Sequence, residues 1–296
     1  MDKIVVPAPA KINLALDIKG LRDDGYHEVE MIMQSISLHD IIIIKRNNGG
    51  IKMAVSDSQL PEGEDNIAYR AARLIIDKAD LSDGVDIYIE KNIPIAGGLA
   101  GGSTDAAAVL VGINKLFMLG ISEVNLNEMA SELGSDVPFC LHGGTALAYG
   151  RGEKVRQLPD LKRYDLVIIN PGIPVSTSWA YQEFDKFDIE EKVPIKKLIH
   201  IIEMGKNITW IEGWNNVLEK VTMSFYQEIL DIKTLLEGMG VLYTLMSGSG
   251  STVFAVVENQ EEGQKIVKNW PRSDDFITTA WTVKKDFPEL WRNILI

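Results

Sequence analysis

Between Lys11 and Ile18 the apolar residues fall on every second position, so that Ile12, Leu14, Leu16 and Ile18 share one face. That is the period of a half-buried strand. Two more strand-like runs follow, MIMQSISL and IIIIKR, with His39–Asp40 between them read as a turn and the cluster NNGG closing the second. The period then changes. In NIAYRAARLIIDKA the apolar residues Ile67, Ala71, Leu74 and Ile75 stand at i, i+4, i+7 and i+8, the stripe of an amphipathic helix, with Asn66 placed to cap it. VDIYIEK alternates again as a strand, and a helix through about Phe117 is expected from Ala107, Leu110, Val111 and Asn114. NLNEMASELG reads as a short helix stopped by Gly134, and GGTALAYG as a strand.

DLVIIN opens a second half. Helical stretches are expected near 195–204, 226–238 and 261–270, with strands on both sides of the glycine turn in LYTLMSGSGSTVFAVV and at FITTAWTV. Strands first and helices interleaved later give an α+β chain of two domains, 1–158 and 159–296. The sequence has no internal repeat and no low-complexity segment.

Composition narrows the function classes. The chain has 296 residues, 46% hydrophobic and 24% charged, enough for two ordinary domains with real cores. No apolar run approaches a membrane span, and MDKIVVPAPA lacks the layout of a signal peptide; a cytoplasmic protein is expected. The formal net charge of −12 without a basic stripe argues against nucleic acid as a partner. Cys140 is the single cysteine, set among apolar neighbours, and is expected to be a buried thiol rather than a nucleophile. His39, His142 and His200 form no ligand set with a carboxylate cluster, so no protein-held metal is expected.

The most informative stretch is PIAGGLAGGSTDAAAVL, residues 94–110. Four glycines fall within the six residues from Gly97 to Gly102, immediately before a helix. Glycines permit close approach to the backbone, and the N–H groups and dipole of a helix start favour an anion. The stretch Pro94, Ile95, Ala96, Gly97, Gly98, Leu99, Ala100, Gly101, Gly102, Ser103 and Thr104 is therefore a candidate phosphate cradle. It lacks the lysine of a Walker A loop and the spacing of a dinucleotide fingerprint. The alternative is a flexible surface loop capped by Ser103 or Thr104.

Two further motifs accompany it. PAKINLALDIKGLRDDGYHE lies near the start and LMSGSGSTVFA near the end. With these three motifs in order, the chain resembles the GHMP kinases, a family that includes homoserine, mevalonate and galactose kinases. The resemblance runs from Val6 to about Val283. It implies a two-domain fold with the active site in the cleft between domains, and ATP as phosphoryl donor with Mg²⁺ carried on it. RDDGYHE and LGSDVPFCLHGGTALAYGRGE are similar to the branch of the family that phosphorylates a tertiary hydroxyl of a cytidyl diphosphate sugar alcohol, a small-molecule substrate acted on by a monomer or homodimer.

Residue by residue, the resemblance makes Asp136 the base, where its position alone also allows a helix cap. Lys11, otherwise an outward-facing strand lysine, is placed beside Asp136 to keep it ionised and to stabilise a developing alkoxide. Asn13 shares the strand face of Lys11 and is expected to donate to substrate phosphate. Tyr26 and His27 are assigned to the cytidine, with Tyr181 as a second stacking aromatic or, alternatively, a packing residue. Asn66 caps its helix and is brought near the adenine. The rival readings are a homoserine or mevalonate kinase, which gives no reason for RDDGYHE; a catalytically silent nucleotide sensor, which would be expected to lose Lys11 or Asp136; and a dinucleotide oxidoreductase, which the glycine spacing opposes.

Overall fold

The structure is a computed structural model and describes residues 2–189, 192–206, 208 and 213–285. Two long strands, β1 (Lys3–Leu21) and β2 (His27–Asn47), pair antiparallel over nearly their whole length. β2 is the spine of the first sheet. Its far end, Ile41–Asn47, pairs with β4 (Gly84–Glu90), and β4 pairs in parallel with β3 (Ile51–Val55). Its near end, Val29–Gln34, pairs with β5 (Thr145–Gly150), which continues to β6 (Lys154–Gln157). His39–Asp40 is thus not a turn. Both residues lie inside β2, and Asp40 is fully buried.

Helices α1 (Ile67–Lys78), α2 (Gly101–Leu116), α3 (Glu123–Leu133) and α4 (Val137–His142) belong to the first half. α2 packs against β1 and β2. It is buried nearly all round and lined by Ala106, Ala107 and Ala108, small side chains that let a helix lie close to a sheet. At Gly112 a Cβ would stand 2.5 Å from Ile44 Cδ1 and 3.1 Å from Val6 Cγ2, so a larger residue would require those side-chain ends to shift. β1 is buried on both faces from Val6 to Asp17, not on the single face that the alternation suggests, because α2 covers one side and the second half of the chain meets the other: Leu16 N donates to Asn215 O at 2.9 Å.

The second sheet runs β10–β7–β9–β8, all antiparallel, from β7 (Asp165–Asn170), β8 (Tyr243–Met246), β9 (Val253–Val257) and β10 (Phe276–Trp281). Its helices are α5 (Thr177–Phe184), α6 (Ile195–Glu203), α7 (Val217–Phe225), α8 (Gln227–Gly238) and α9 (Gln260–Lys268). The apolar pattern locates α6, α8, α9 and the four strands. It does not locate β3, β6, α4, α5 or α7. These are short, and α5 (TSWAYQEF) has no clean apolar stripe; β3 pairs with β4 across α1, and β6 is the return strand of a tight hairpin with β5. Among the described residues, no helix is long and apolar enough to cross a membrane.

Candidate active site

The glycine segment joins β4 to α2. α2 begins at Gly101, and its first helical bond runs from Thr104 N to Ala100 O at 2.9 Å. The N–H groups of Gly101, Gly102 and Ser103 precede that bond and have no partner within the helix. No side chain caps it: Ala100 stands at the N-cap in the left-handed region, φ 58°, so Ser103 and Thr104 are not caps, and Thr104 is buried. Gly102 is exposed, whereas Gly97 and Leu99 are buried.

The glycines have a second reason for being small. A Cβ on Gly97 would meet Asn170 Nδ2 at 2.5 Å, and one on Gly98 would meet Ser247 O at 2.2 Å, with φ +77° at Gly98 besides. A Cβ on Gly101 would lie 3.3 Å from Lys91 Nζ and from Ile93 Cγ2. The sides of the loop where side chains would stand are filled by protein. The glycines let two halves of the chain close on the loop, in addition to leaving backbone N–H groups open on its other side.

The closing element is the turn Ser247–Thr252 between β8 and β9. Ser247 Oγ donates to Gly98 O at 3.0 Å and accepts from Asn13 N at 3.2 Å, and Thr252 N donates to Gly97 O at 3.2 Å. Asn170 Nδ2 donates to Thr252 Oγ1 at 2.9 Å, and Asn216 Nδ2 donates to Met246 O and Gly248 O. Asn170, Asn216 and Ser247 all support the site. Ser247 lies in the LMSGSGSTVFA motif, whereas Asn170, ending the apolar run DLVII, and Asn216, following Asn215, carry no such local signal.

Lys11 lies under this junction. Its backbone N donates to Leu99 O at 3.1 Å, and its ammonium donates to Gly98 O at 3.0 Å and Asn13 Oδ1 at 2.7 Å. The residue is 4% exposed, so it is no surface lysine. Asp136 Oδ2 stands 3.6 Å from the same ammonium. Asp136 does occupy the N-cap position of α4, but its side chain makes no capping bond. Asn13 is wholly buried, its Oδ1 accepting from Lys11 and its Nδ2 donating to Met31 Sδ at 3.4 Å, so its amide helps orient the lysine.

Cys140, one turn beyond Asp136, is buried, and burial holds its thiol far above the ordinary cysteine value, with the Asp136 charge adding to the shift. The phenol of Tyr181 is likewise pushed well up by burial, and Asp136 contributes there too, which brings α5 to the same carboxylate.

At the mouth of the cleft, His27 Nε2 lies 2.8 Å from Asp185 Oδ1, and the His27 and Tyr181 ring centroids are 5.1 Å apart, with Phe184 at 6.5 Å from His27. Tyr26 is 55% exposed on the turn where Gly25 N donates to Arg22 O, and the Arg151 guanidinium sits 4.9 Å from its ring centroid. The structure brings His27 and Tyr181 together and adds Phe184, whereas Tyr26 is in contact with Arg151. Asn66 is the cap of α1, its Oδ1 accepting from Ala68 N and its Nδ2 donating to Pro61 O, so both ends of its amide are engaged locally. His39 Nδ1 lies on Ser37 O and His142 between Glu123 and Asn127. Among the described residues no group of three or more histidines, cysteines or acids could hold a metal ion.

A cavity of about 940 Å³ opens beside the entrance of the loop at Pro94, Ile95 and Ala96, with Asn170 and β10 on its other side. Lys11, Asp136, His27 and Tyr181 are not part of its lining.

Comparison with known proteins agrees with this arrangement. Residues 66–144 match the profile of the GHMP kinases N terminal domain, and residues 195–274 that of the GHMP kinases C terminal domain. The chain is 45% identical over 263 residues to a 4-diphosphocytidyl-2-C-methyl-D-erythritol kinase of Acetivibrio thermocellus, covering 88% of this chain and 93% of that one. A crystal structure of 4-(cytidine 5'-diphospho)-2C-methyl-D-erythritol kinase superimposes with a TM-score of 0.79 at 31% identity, covering 94% of this chain and 99% of the other. Homoserine kinase from Cytophaga hutchinsonii shares the fold, with a TM-score of 0.75 at 19% identity over 96% of each chain. The chain belongs to the GHMP kinase family.

Proposed function

We propose that this chain is an ATP-dependent kinase that phosphorylates the 2-hydroxyl of 4-diphosphocytidyl-2-C-methyl-D-erythritol, a step of the non-mevalonate route to isoprenoid precursors. The observation that carries the reading is the Lys11–Asp136 pair, 3.6 Å apart at the start of α2, in a chain whose relatives bear that enzyme's name.

The N–H groups of Gly101, Gly102 and Ser103 receive the ATP phosphates, favoured by the positive end of α2. Among the described residues no cluster of protein ligands is present, so Mg²⁺ would come with the ATP phosphates and offset their negative charge. Asp136 takes the proton of the substrate hydroxyl as its oxygen bonds to the γ-phosphorus. The bond from that phosphorus to the β–γ bridging oxygen breaks, and ADP leaves. Lys11, held by Asn13 and Gly98, faces the Asp136 carboxylate and offsets negative charge as it gathers on the transferred group. Asn66, whose amide is already engaged as a cap, remains beside the adenine as packing. Tyr26, His27, Tyr181 and Phe184 take the cytosine, and binding energy there orients a hydroxyl that lies far from the base. The domain boundary falls at 158/159, where the first sheet has ended at Gln157 and the second has yet to begin at Asp165.

An ATP-consumption assay with the cytidyl substrate, homoserine and mevalonate side by side tests the reading. Turnover of the cytidyl substrate alone is expected; equal or preferential use of either other alcohol would overturn it.

A further inference from the structure

Beneath the glycine loop lies a chain of buried charges with no part in the chemistry above. Asp40, in the middle of β2, is fully buried. Its Oδ1 accepts from Asn92 N at 2.5 Å and Ile93 N at 2.9 Å, the two residues that lead into the loop, and its Oδ2 accepts from the Lys91 ammonium. That ammonium also donates to Asp105 Oδ2 at 2.7 Å, on the second turn of α2, just past the loop. The Lys91 side chain is 6% exposed and that of Asp105 5%. Asp105 Oδ1 has no hydrogen-bond partner, so the carboxyl is held at one oxygen only.

Both ends of the loop are therefore tied to one point of the sheet: its entrance by Asp40 directly, its exit through Lys91 to Asp105. The ammonium also stands 3.3 Å from where a Gly101 Cβ would be, directly under the first residue of α2. A buried ion pair adds little net stability compared with well-packed apolar side chains, yet it fixes direction and distance. Two acids around one lysine is a costly way to fill space and an effective way to set the pose of a helix start.

We propose that Lys91, locked between Asp40 and Asp105, is a positioning residue of the phosphate loop: the relay sets the first turn of α2 against the sheet and so aims the N–H groups of Gly101, Gly102 and Ser103 at ATP. The inference rests on the reading of this loop as the ATP site and adds the device that shapes it.

The test compares Asp105→Ala, which cuts the relay while leaving the Asp40–Lys91 pair whole, with Asp105→Asn, which keeps its length with a neutral acceptor. ATP binding is measured by calorimetry, without the alcohol, and KM for each substrate is measured separately. Asp105→Ala is expected to weaken ATP binding about tenfold and to leave KM for the alcohol within about twofold; Asp105→Asn is expected to restore ATP binding to within about threefold of wild type. ATP binding unchanged in folded Asp105→Ala, an equal rise in both KM values, or Asp105→Asn as weak as Asp105→Ala would each overturn the relay. If Asp105→Ala does not fold, Asp105→Glu, which keeps the carboxyl at the wrong length, replaces it: weakened ATP binding supports the relay and unchanged binding overturns it. A wild-type protein that binds no ATP overturns the functional reading and the relay with it; wild-type binding that Asp105→Ala matches overturns the relay alone.

Discussion

The carboxylate of Asp136 faces the Lys11 ammonium at 3.6 Å and makes no hydrogen bond to the backbone of the helix it begins. A residue at a cap position that does not cap has its side chain committed elsewhere. Asp136→Asn keeps the shape and gives up the base. It is expected to lower kcat by about 10² to 10⁴, with ATP binding retained. Lys11→Ala should be slowed severely as well, and the double variant little more than the slower single, because groups acting as one unit are not additive. Thermal melts establish that each variant is folded. An Asp136→Asn enzyme that keeps most of its kcat, with chemistry rate-limiting, would remove the base from the mechanism.

Ala96 and Ala100 sit in the left-handed region, φ 52° and 58°, inside a segment otherwise rich in glycine. A side chain there costs roughly 1–2 kcal/mol, part of which glycine gives back by losing more entropy on folding. Ala96→Gly and Ala100→Gly are each expected to raise stability by about 0.5–1 kcal/mol in chemical denaturation. A loss of stability in both would mean that the strain is relieved in solution.

Ser247 bridges Asn13 N and Gly98 O and is fully buried. Ser247→Ala leaves a buried N–H without its acceptor, at a cost of about 1–3 kcal/mol. Because Gly98 O still accepts from Lys11, the loop loosens rather than collapses. KM for ATP is expected to rise more than KM for the alcohol; equal effects on both would assign Ser247 to general stability.

On the function proposed above, the aromatic group around His27 and Tyr181 makes the cytidyl end of the substrate an anchor. Tyr181→Ala removes the ring packed against His27, and kcat/KM for the cytidyl substrate is expected to drop by at least about tenfold. Methylerythritol 4-phosphate, lacking the base, should be a very poor substrate of the wild type. Comparable kcat/KM for the two would take the aromatic site out of recognition.

Asp105 carries a pH signature. Burial holds its carboxyl well above the usual carboxylate range; Lys91 pulls it down, and the Asp40 charge pushes it up again. The folded state then keeps a proton that the unfolded chain has released. Stability must fall as pH rises from the unfolded carboxylate value, about 3.9, towards the raised folded value. Asp105→Asn, which cannot ionise, is expected to flatten that part of the curve, read from denaturation midpoints across pH. An unchanged slope would place the proton elsewhere.

How much of this was legible in the sequence depends on where each residue finds its partner. α1 could be read because its stripe and its cap lie within one run of residues, Asn66 to Ile75. Asp40 was read as part of a turn because its partners, Asn92 and Ile93, are some fifty positions away; without them a charged residue inside a strand has no explanation. Lys11 and Asp136 could be named only through motifs, since the burial of Lys11 is imposed by Ser247 and Gly98 from remote parts of the chain. Asn13 shows the same dependence: it shares a strand face with Lys11, and Lys11 and Met31 take up its amide. The glycines pointed to phosphate, while the atoms that fill their sides, from Asn170 and Ser247, leave no mark on the local sequence.

The turn Ser247–Thr252, reaching back to Gly97 and Gly98, has a consequence for the order in which a cell makes this molecule. Chains leave the ribosome amino end first, and domains tend to fold as they emerge. Lys11, the loop and Asp136 emerge well before the backbone that shuts the loop. A nascent chain can assemble its first sheet with Lys11 and Asp136 aboard and still lack the turn that closes on Gly97 and Gly98. On the function proposed above, competence to use ATP is withheld until Ser247–Thr252 has emerged.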